Sequence, residues 1–246
     1  MAAAIARGWA RADAGPEAML FCDLDAERAE ALAGETGGET RATLGELVGD
    51  CDVLLLAVKP AALDAVAEEL GGEAPPILSV LAATPLARLR AAFPGVPVLR
   101  VMPNQPVEVG AGTLCYVEPD DEMPAELAGE LVRLLDALGH TVALAEDDLD
   151  PAMAVMSCSP AYVALFAKEL AGAGAREGLD QTLARELVAG TLAGTAKLLG
   201  AKPAEEIIRT VAPPGGATEA GLEALAAGGF AGALEAAVEA SLERFR

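Results

Sequence analysis

The run Pro214-Gly215-Gly216-Ala217-Thr218 stands just before a segment of helical character, Glu219 to Ala227. Adjacent glycines leave backbone N–H groups uncovered, and a helix N-terminus attracts negative charge. The pattern suits capture of a small anion such as a carboxylate. The Thr218 hydroxyl either caps the helix or donates to a bound group. An ordinary Pro-Gly turn has the same spelling. Three more polar residues follow strand-like runs: Asp23 closes Met19 to Asp23, Lys59 follows Val53 to Val58, and Asn104 follows Val96 to Val101. Parallel α/β sheets hold ligands just beyond the C-terminal ends of their strands. Lys59 is then a ligand contact or an exposed loop lysine. Asn104 bonds a ligand or closes its own turn. Asp23 accepts from ribose hydroxyls or starts the next helix in solvent.

Several chemistries are excluded. The chain has a single histidine, His140, and four scattered cysteines, Cys22, Cys51, Cys115 and Cys158, with no C-x-x-C. No metal site, disulfide framework or histidine acid/base is expected, and the cytoplasm is the expected compartment. Cys158 reads as a small buried residue, Tyr162 as helix packing, and His140 as a surface residue without a role. The 38 acidic and 17 basic residues give a net charge of −21, which argues against nucleic acid and anionic membranes as partners. A hydrophobic share of 53 % excludes general disorder. The strongest apolar run, Val53 to Val58, is far shorter than the roughly 18 residues of a membrane span. The N-terminal residues lack the basic region of a secretory signal.

The elements that must carry these residues fall into two patterns over the 246 residues. Strands are predicted at Met19 to Asp23, Val53 to Val58, Ile77 to Leu81, Val96 to Val101, Thr113 to Val117 and Thr141 to Leu144. Helices are predicted at Ala26 to Ala33, after Pro60, from Pro85 to Phe93 and from Pro124 to Leu138. Such alternation predicts a doubly wound parallel sheet. After the acidic stretch ending at Pro151 only helices are predicted: Asp150 to Ala173, Leu179 to Leu199, Pro203 to Val211 and two beyond Gly215. These are apolar nearly all round, as buried helices are. A helical domain of ~100 residues buries such faces poorly alone, so a homodimer through this region is expected. Domains are placed at 1–146 and 147–246.

The α/β half begins with a helix, Met1 to Trp9, where such folds begin with a strand and a Gly-rich phosphate turn. Here a resemblance becomes specific. Met1-Ala2-Ala3-Ala4-Ile5-Ala6-Arg7-Gly8 matches the second half of the G-x-G-N-M-A-x-A-I-x-x-G stretch of pyrroline-5-carboxylate reductases. Ala57-Val58-Lys59-Pro60 resembles their A-V-K-P, and Ser79-Val80-Leu81-Ala82-Ala83 their S-x-A-A-G. Arg100-Val101-Met102-Pro103-Asn104-Gln105-Pro106, with Val109-Gly110-Ala111-Gly112, resembles R-x-M-P-N-T-P-x-x-V-G-x-G. Pro160-Ala161-Tyr162, Pro214-Gly215-Gly216-Ala217-Thr218 and Gly228-Gly229-Phe230 resemble P-A-Y, P-G-G-[TA]-T and G-G-F. The matches run in order over the whole length.

The resemblance implies a Rossmann-like doubly wound parallel sheet, its first strand missing, followed by an all-α dimerisation domain. It implies hydride transfer from NADP or NAD, in reduced form, to the C=N carbon of 1-pyrroline-5-carboxylate, giving L-proline. The cofactor carries the difficult step, and the protein positions the imine and anchors its carboxylate. On this alignment Gly215, Gly216, Ala217 and Thr218 hold the substrate, with Thr218 catalytic. Met1, Ala2, Asp23, Val58, Lys59, Pro60, Ala82 and Asn104 face the cofactor. Asp23, with only Arg28 nearby as a base, leans toward NAD. The first strand and two glycines are expected upstream of residue 1, roughly ten residues in all. Without them the chain is expected to bind a dinucleotide poorly.

Three other departures bear on the substrate. Ser157 and Ser159 stand where the family has glycines, Pro213 where it commonly has serine, and Gln105 where it has threonine. They motivate two alternatives: a reductase of another cyclic imine or a hydroxy acid, and a non-catalytic dimeric paralogue.

Overall fold

In this computed structural model, which describes residues 1–245, strands and helices alternate through the first half of the chain. They are α1 (Ala2–Arg11), β1 (Leu20–Phe21), α2 (Ala26–Thr36), β2 (Glu39–Thr40), α3 (Leu44–Gly49) and β3 (Leu54–Leu56). The 3-10 turn Pro60–Ala62, α4 (Leu63–Leu70), β4 (Ile77–Ser79), α5 (Leu86–Ala92) and β5 (Val98–Pro103) come next. A second 3-10 turn, Gln105–Val109, leads to β6 (Gly112–Val117), α6 (Ala125–Asp136), β7 (Gly139–Leu144), a third 3-10 turn at Glu146–Asp148, and α7 (Leu149–Met156). The helical half holds α8 (Ser159–Arg176), α9 (Gln181–Leu199), α10 (Ala204–Val211), α11 (Ala217–Ala227) and α12 (Phe230–Leu242).

The main sheet has the order β3-β4-β5-β6-β7. Alternate side chains face opposite layers, as the pleat requires. Ile77, Val98, Met102, Cys115 and Val117 join Leu63, Leu89, Leu149 and Met153 on one face. Leu78, Leu99, Val101 and Leu114 join Ala4, Ile5, Leu131 and Leu135 on the other. The sheet is therefore covered on both sides over β3 to β6, and strands such as β3 read as continuous apolar runs, while β7 at its edge has no buried residue.

Two expectations are corrected. The sheet is not wholly parallel: β6 runs antiparallel to β5, with Met102 opposite Cys115. The eight residues Asn104 to Ala111 reverse the chain between these strands, a span too short for a parallel crossover. The helix expected over 150–173 is two helices, α7 and α8, separated at Ser157 and Cys158. The strand β2 and helix α3 were not anticipated, being too short to show a period. β1 and β2 pair only with each other, and among the described residues no strand joins them to β3.

The chain divides into two compact units, Met1–Cys158 with residues 244 and 245, and Ser159–Glu243. The division falls twelve residues beyond the expected boundary at 146/147, because Leu149 and Met153 of α7 are buried in the core of the first unit. In the second unit α8 and α9 form a hairpin. Gly178 takes a left-handed φ of 100°, and the Asp180 carboxylate caps α9 by accepting from Thr182 and Leu183 N–H. Ala171 and Ala184 are the only buried residues described there. Large apolar side chains such as Leu187, Leu198, Ile208, Val211 and Phe230 remain 43 to 57 % exposed. Residues 146–176 are long and apolar enough by composition to cross a membrane, but the break between α7 and α8 divides them.

Candidate functional site

β3, β4 and β5 are adjacent and parallel, so their C-terminal ends lie on one edge. Val58, Lys59 and Pro60 follow the first, Ala82 the second and Asn104 the third. The sequence thus brings these predicted residues to the edge where α/β sheets hold ligands. Val58, Lys59, Pro60 and Ala82 are exposed. Lys59 has no ion-pair partner among the described residues, and its carbonyl closes the 3-10 turn by accepting from Ala62 N–H at 2.8 Å.

Asn104 is different. It is 8 % exposed, and its amide is engaged on both sides. Its Oδ1 accepts from Thr113 N–H at 2.9 Å, and its Nδ2 donates to the Met156 carbonyl at 3.0 Å. The side chain joins the end of β5 to the start of β6 and to the end of α7. This is a longer-range brace than the local Asx turn considered from sequence.

The backbone beyond β4 is tightly constrained. Ala83 has φ of +51°, the only left-handed non-glycine residue described. It occupies the glycine position of the S-x-A-A-G pattern. Thr84, 4 % exposed, donates its hydroxyl to the Ala82 carbonyl at 3.0 Å.

Asp23 lies just past β1. Its Oδ1 accepts from Asp25 N–H at 3.0 Å, and its Oδ2 is 3.9 Å from Arg28 Nη1. Burial pushes the neighbouring Cys22 thiol pKa up, and the carboxylates of Glu69, Asp23 and Glu46 add to the rise. The end of β1 is thus an acidic neighbourhood.

Met1 is the N-cap of α1 and Ala2 its first residue. No side chain caps that end and no acid lies in its first turn, so its N–H groups suit a phosphate. The helix is held firmly from its flanks. Arg7 Nε bonds Glu35 at 2.7 Å, Arg11 Nη1 donates to the Glu108 carbonyl at 2.5 Å, and Trp9 Nε1 donates to the Leu134 carbonyl at 2.8 Å.

In the second unit, Gly215 takes a φ of +75°, and Gly216 is the extended N-cap of α11. The helix starts at Ala217, two residues earlier than expected, so Thr218 lies inside its first turn and is not the cap. Gly215, Ala217 and Thr218 are exposed, while Gly216 is partly buried. Gly216 N–H donates to the Pro213 carbonyl at 3.0 Å. Gly215 N–H donates to Glu219 Oε2 at 2.7 Å. A carboxylate therefore does meet this turn, supplied by the chain itself. Tyr162 packs within the same unit, its hydroxyl 2.6 Å from Ser241 Oγ.

Sequence reasoning missed Ala83, Glu219 and the pair Arg100–Glu146. Ala83 and Arg100 stood inside quoted motifs, and their signal was a small residue in a glycine position and a charge within a buried strand. Among the described residues no three His, Cys, Asp or Glu gather as a metal site.

Residues 146–246 match the family model described as pyrroline-5-carboxylate reductase dimerisation. Residues 1–83 match the model described as NADP oxidoreductase, coenzyme F420-dependent. The pyrroline-5-carboxylate reductase of Synechocystis sp. is 39 % identical over 78 % of this chain and 73 % of its own length. That of Pseudomonas aeruginosa is 34 % identical over 96 % of this chain and 89 % of its own. The solved 1-pyrroline-5-carboxylate reductase of Streptococcus pyogenes aligns with a TM-score of 0.87 at 26 % identity, over 100 % of this chain and 94 % of that one. The Plasmodium falciparum pyrroline carboxylate reductase, solved with NADP bound, gives 0.85 at 25 % identity, over 98 % and 92 %.

Proposed function

The chain belongs to the pyrroline-5-carboxylate reductase family, and on that premise we propose that its own residues bind 1-pyrroline-5-carboxylate and reduce it to L-proline. It is an NAD(P)H-dependent oxidoreductase of proline biosynthesis by family, with an α/β N-terminal domain and a C-terminal helical dimerisation domain.

The observation that carries the site reading is the shared edge of β3, β4 and β5, where Lys59, Ala82 and Asn104 follow three adjacent parallel strands. In the proposed arrangement Val58, Lys59, Pro60 and Ala82 line the dinucleotide, and the uncapped start of α1 at Met1 and Ala2 faces its phosphates. Asn104 supports that edge through its two backbone partners. The cofactor supplies the hydride. Asp23 favours NAD over NADP, because the 2′-phosphate of NADP meets Asp23 and the nearby acids, and Arg28 is already shared with Asp23.

The substrate carboxylate is assigned to the Gly215–Ala217 backbone, and the Thr218 hydroxyl to the imine nitrogen. The exposed apolar faces of the second unit are covered by a second copy. Four free cysteines support a cytoplasmic setting.

The test is oxidation of NADH and NADPH with pyrroline-5-carboxylate, scored by proline formed, in the parent and in Thr218→Ala. Proline formation that falls at least tenfold in the variant supports the assignment. Parental turnover by a folded variant removes Thr218 from the chemistry. Absence of proline in the parent favours another imine or a non-catalytic role.

A further inference from the structure

Arg100 lies where an apolar residue is expected. On β5 it sits between Val98 and Met102, both on the apolar face of the sheet that also receives Leu149 and Met153. It is opposite Ser79 of β4 and is 4 % exposed. A guanidinium is costly to bury without compensation. One carboxylate oxygen compensates it: Glu146 Oε1 accepts from Arg100 Nη1 at 2.7 Å. The same oxygen accepts from Leu86 N–H at 2.6 Å. Arg100 Nε is the one buried side-chain nitrogen or oxygen among the described residues without a hydrogen-bond partner. A pair built only for stability has no reason to tolerate that, since apolar residues of similar volume often serve as well.

The geometry points to Arg100 and Glu146 as positioning residues for the dinucleotide. Glu146 Oε1 ties together two consecutive elements from 46 and 60 residues away: strand β5, through Arg100, and the first residue of α5, through Leu86. The loop from Ala82 to Pro85 is thereby fixed at its far end while β4 fixes its near end. That loop holds the left-handed Ala83, a conformation that relaxes unless its surroundings impose it. β5 also holds the other end of the same chain segment, because Asn104, four residues on, binds the Met156 carbonyl. Arg100 and Asn104 thus grip the stretch 146–156 at its two ends. The inference rests on the proposed contact of Ala82 with the cofactor.

The experiment compares the parent with Glu146→Leu and with the double variant Arg100→Met/Glu146→Leu. Glu146→Leu alone strands a buried cation and loses thermal stability. The double variant is expected to regain a near-parental unfolding midpoint, because it leaves no buried charge. In that recovered double variant, two quantities are read: amide hydrogen exchange over residues 82–86 without cofactor, and the Kd for NADH and NADPH by fluorescence titration. Faster exchange together with about tenfold weaker binding of the preferred nucleotide supports the proposal. Parental exchange over 82–86 overturns it and leaves the contact at Ala82 untouched. Faster exchange with a parental Kd removes Ala82 from the cofactor, and the proposal falls with it.

Discussion

The Glu219 carboxylate and the Gly215 amide are 2.7 Å apart, so the Pro-Gly-Gly turn before α11 already holds an anion of its own. A substrate carboxylate assigned to that turn competes with Glu219 for the same N–H. Glu219→Ala is therefore expected to lower KM for pyrroline-5-carboxylate about two- to fivefold, the size of a charge interaction at a helix end of ~0.3–1 kcal/mol. Initial rates at varied imine and fixed cofactor measure it. An unchanged KM with a lower unfolding midpoint would show that Glu219 only closes the turn.

Gly8 is required by the approach of α1 to the turn Gln105–Val109. A methyl group there would overlap the Val107 carbonyl and the Leu138 side chain. Gly8→Ala is expected to destabilise the first unit by ~1–3 kcal/mol, the usual range for overpacking, despite alanine's higher helix propensity. A urea midpoint shifted down at constant slope checks this.

The order of strands and helices was legible because strands such as Leu54–Leu56, covered on both faces, are continuous apolar runs, and Pro60, Pro85 and Pro124 mark where helical turns begin. The direction of β6 was not legible, since strand direction depends on the path of the connection and both directions show the same apolar residues. The break at Ser157 and Cys158 did carry a signal, since Pro160 is the second residue of α8 and marks a helix start as Pro60 does, but the apolar run Ala152 to Met156 before it read as one continuous helix. At the site, residue types identified Lys59 and Asn104 as polar groups beyond strands. Nothing local in the sequence showed that both sides of the Asn104 amide are taken, because its partners Thr113 and Met156 lie 9 and 52 residues away. The Arg100–Glu146 contact spans 46 residues and was out of reach for the same reason.

Ala83 holds a left-handed φ of +51° where the family pattern carries glycine. A Cβ in that region costs ~1–2 kcal/mol relative to glycine, and part of the gain from removing it is lost to the freer unfolded chain. Ala83→Gly is expected to stabilise the first unit by a net ~0.5–1 kcal/mol. Chemical denaturation of the two proteins side by side reads the shift. No gain would mean that contacts of the Ala83 methyl offset the strain of the loop.

Asn104 offers the sharpest separation of donor from acceptor. Asn104→Ala removes the acceptor for Thr113 N–H and is expected to cost ~1–3 kcal/mol. Asn104→Asp keeps an acceptor for Thr113 but turns the group facing the Met156 carbonyl from a donor into a carboxylate oxygen. Burial and that carbonyl both disfavour the ionised form, so the folded-state pKa of the new aspartate rises above its unfolded value of about 3.9. A raised folded pKa means that the unfolded chain ionises first as pH increases. The penalty of Asn104→Asp against the parent is then least below about pH 4. There the protonated acid still donates to Met156. The penalty grows as pH climbs through the raised pKa and is constant above it. Unfolding midpoints of parent and variant at matched pH from 3.5 to 8 follow this directly. A difference that stays flat across that range would place the Asn104 side chain in solvent and break the brace between β5, β6 and α7.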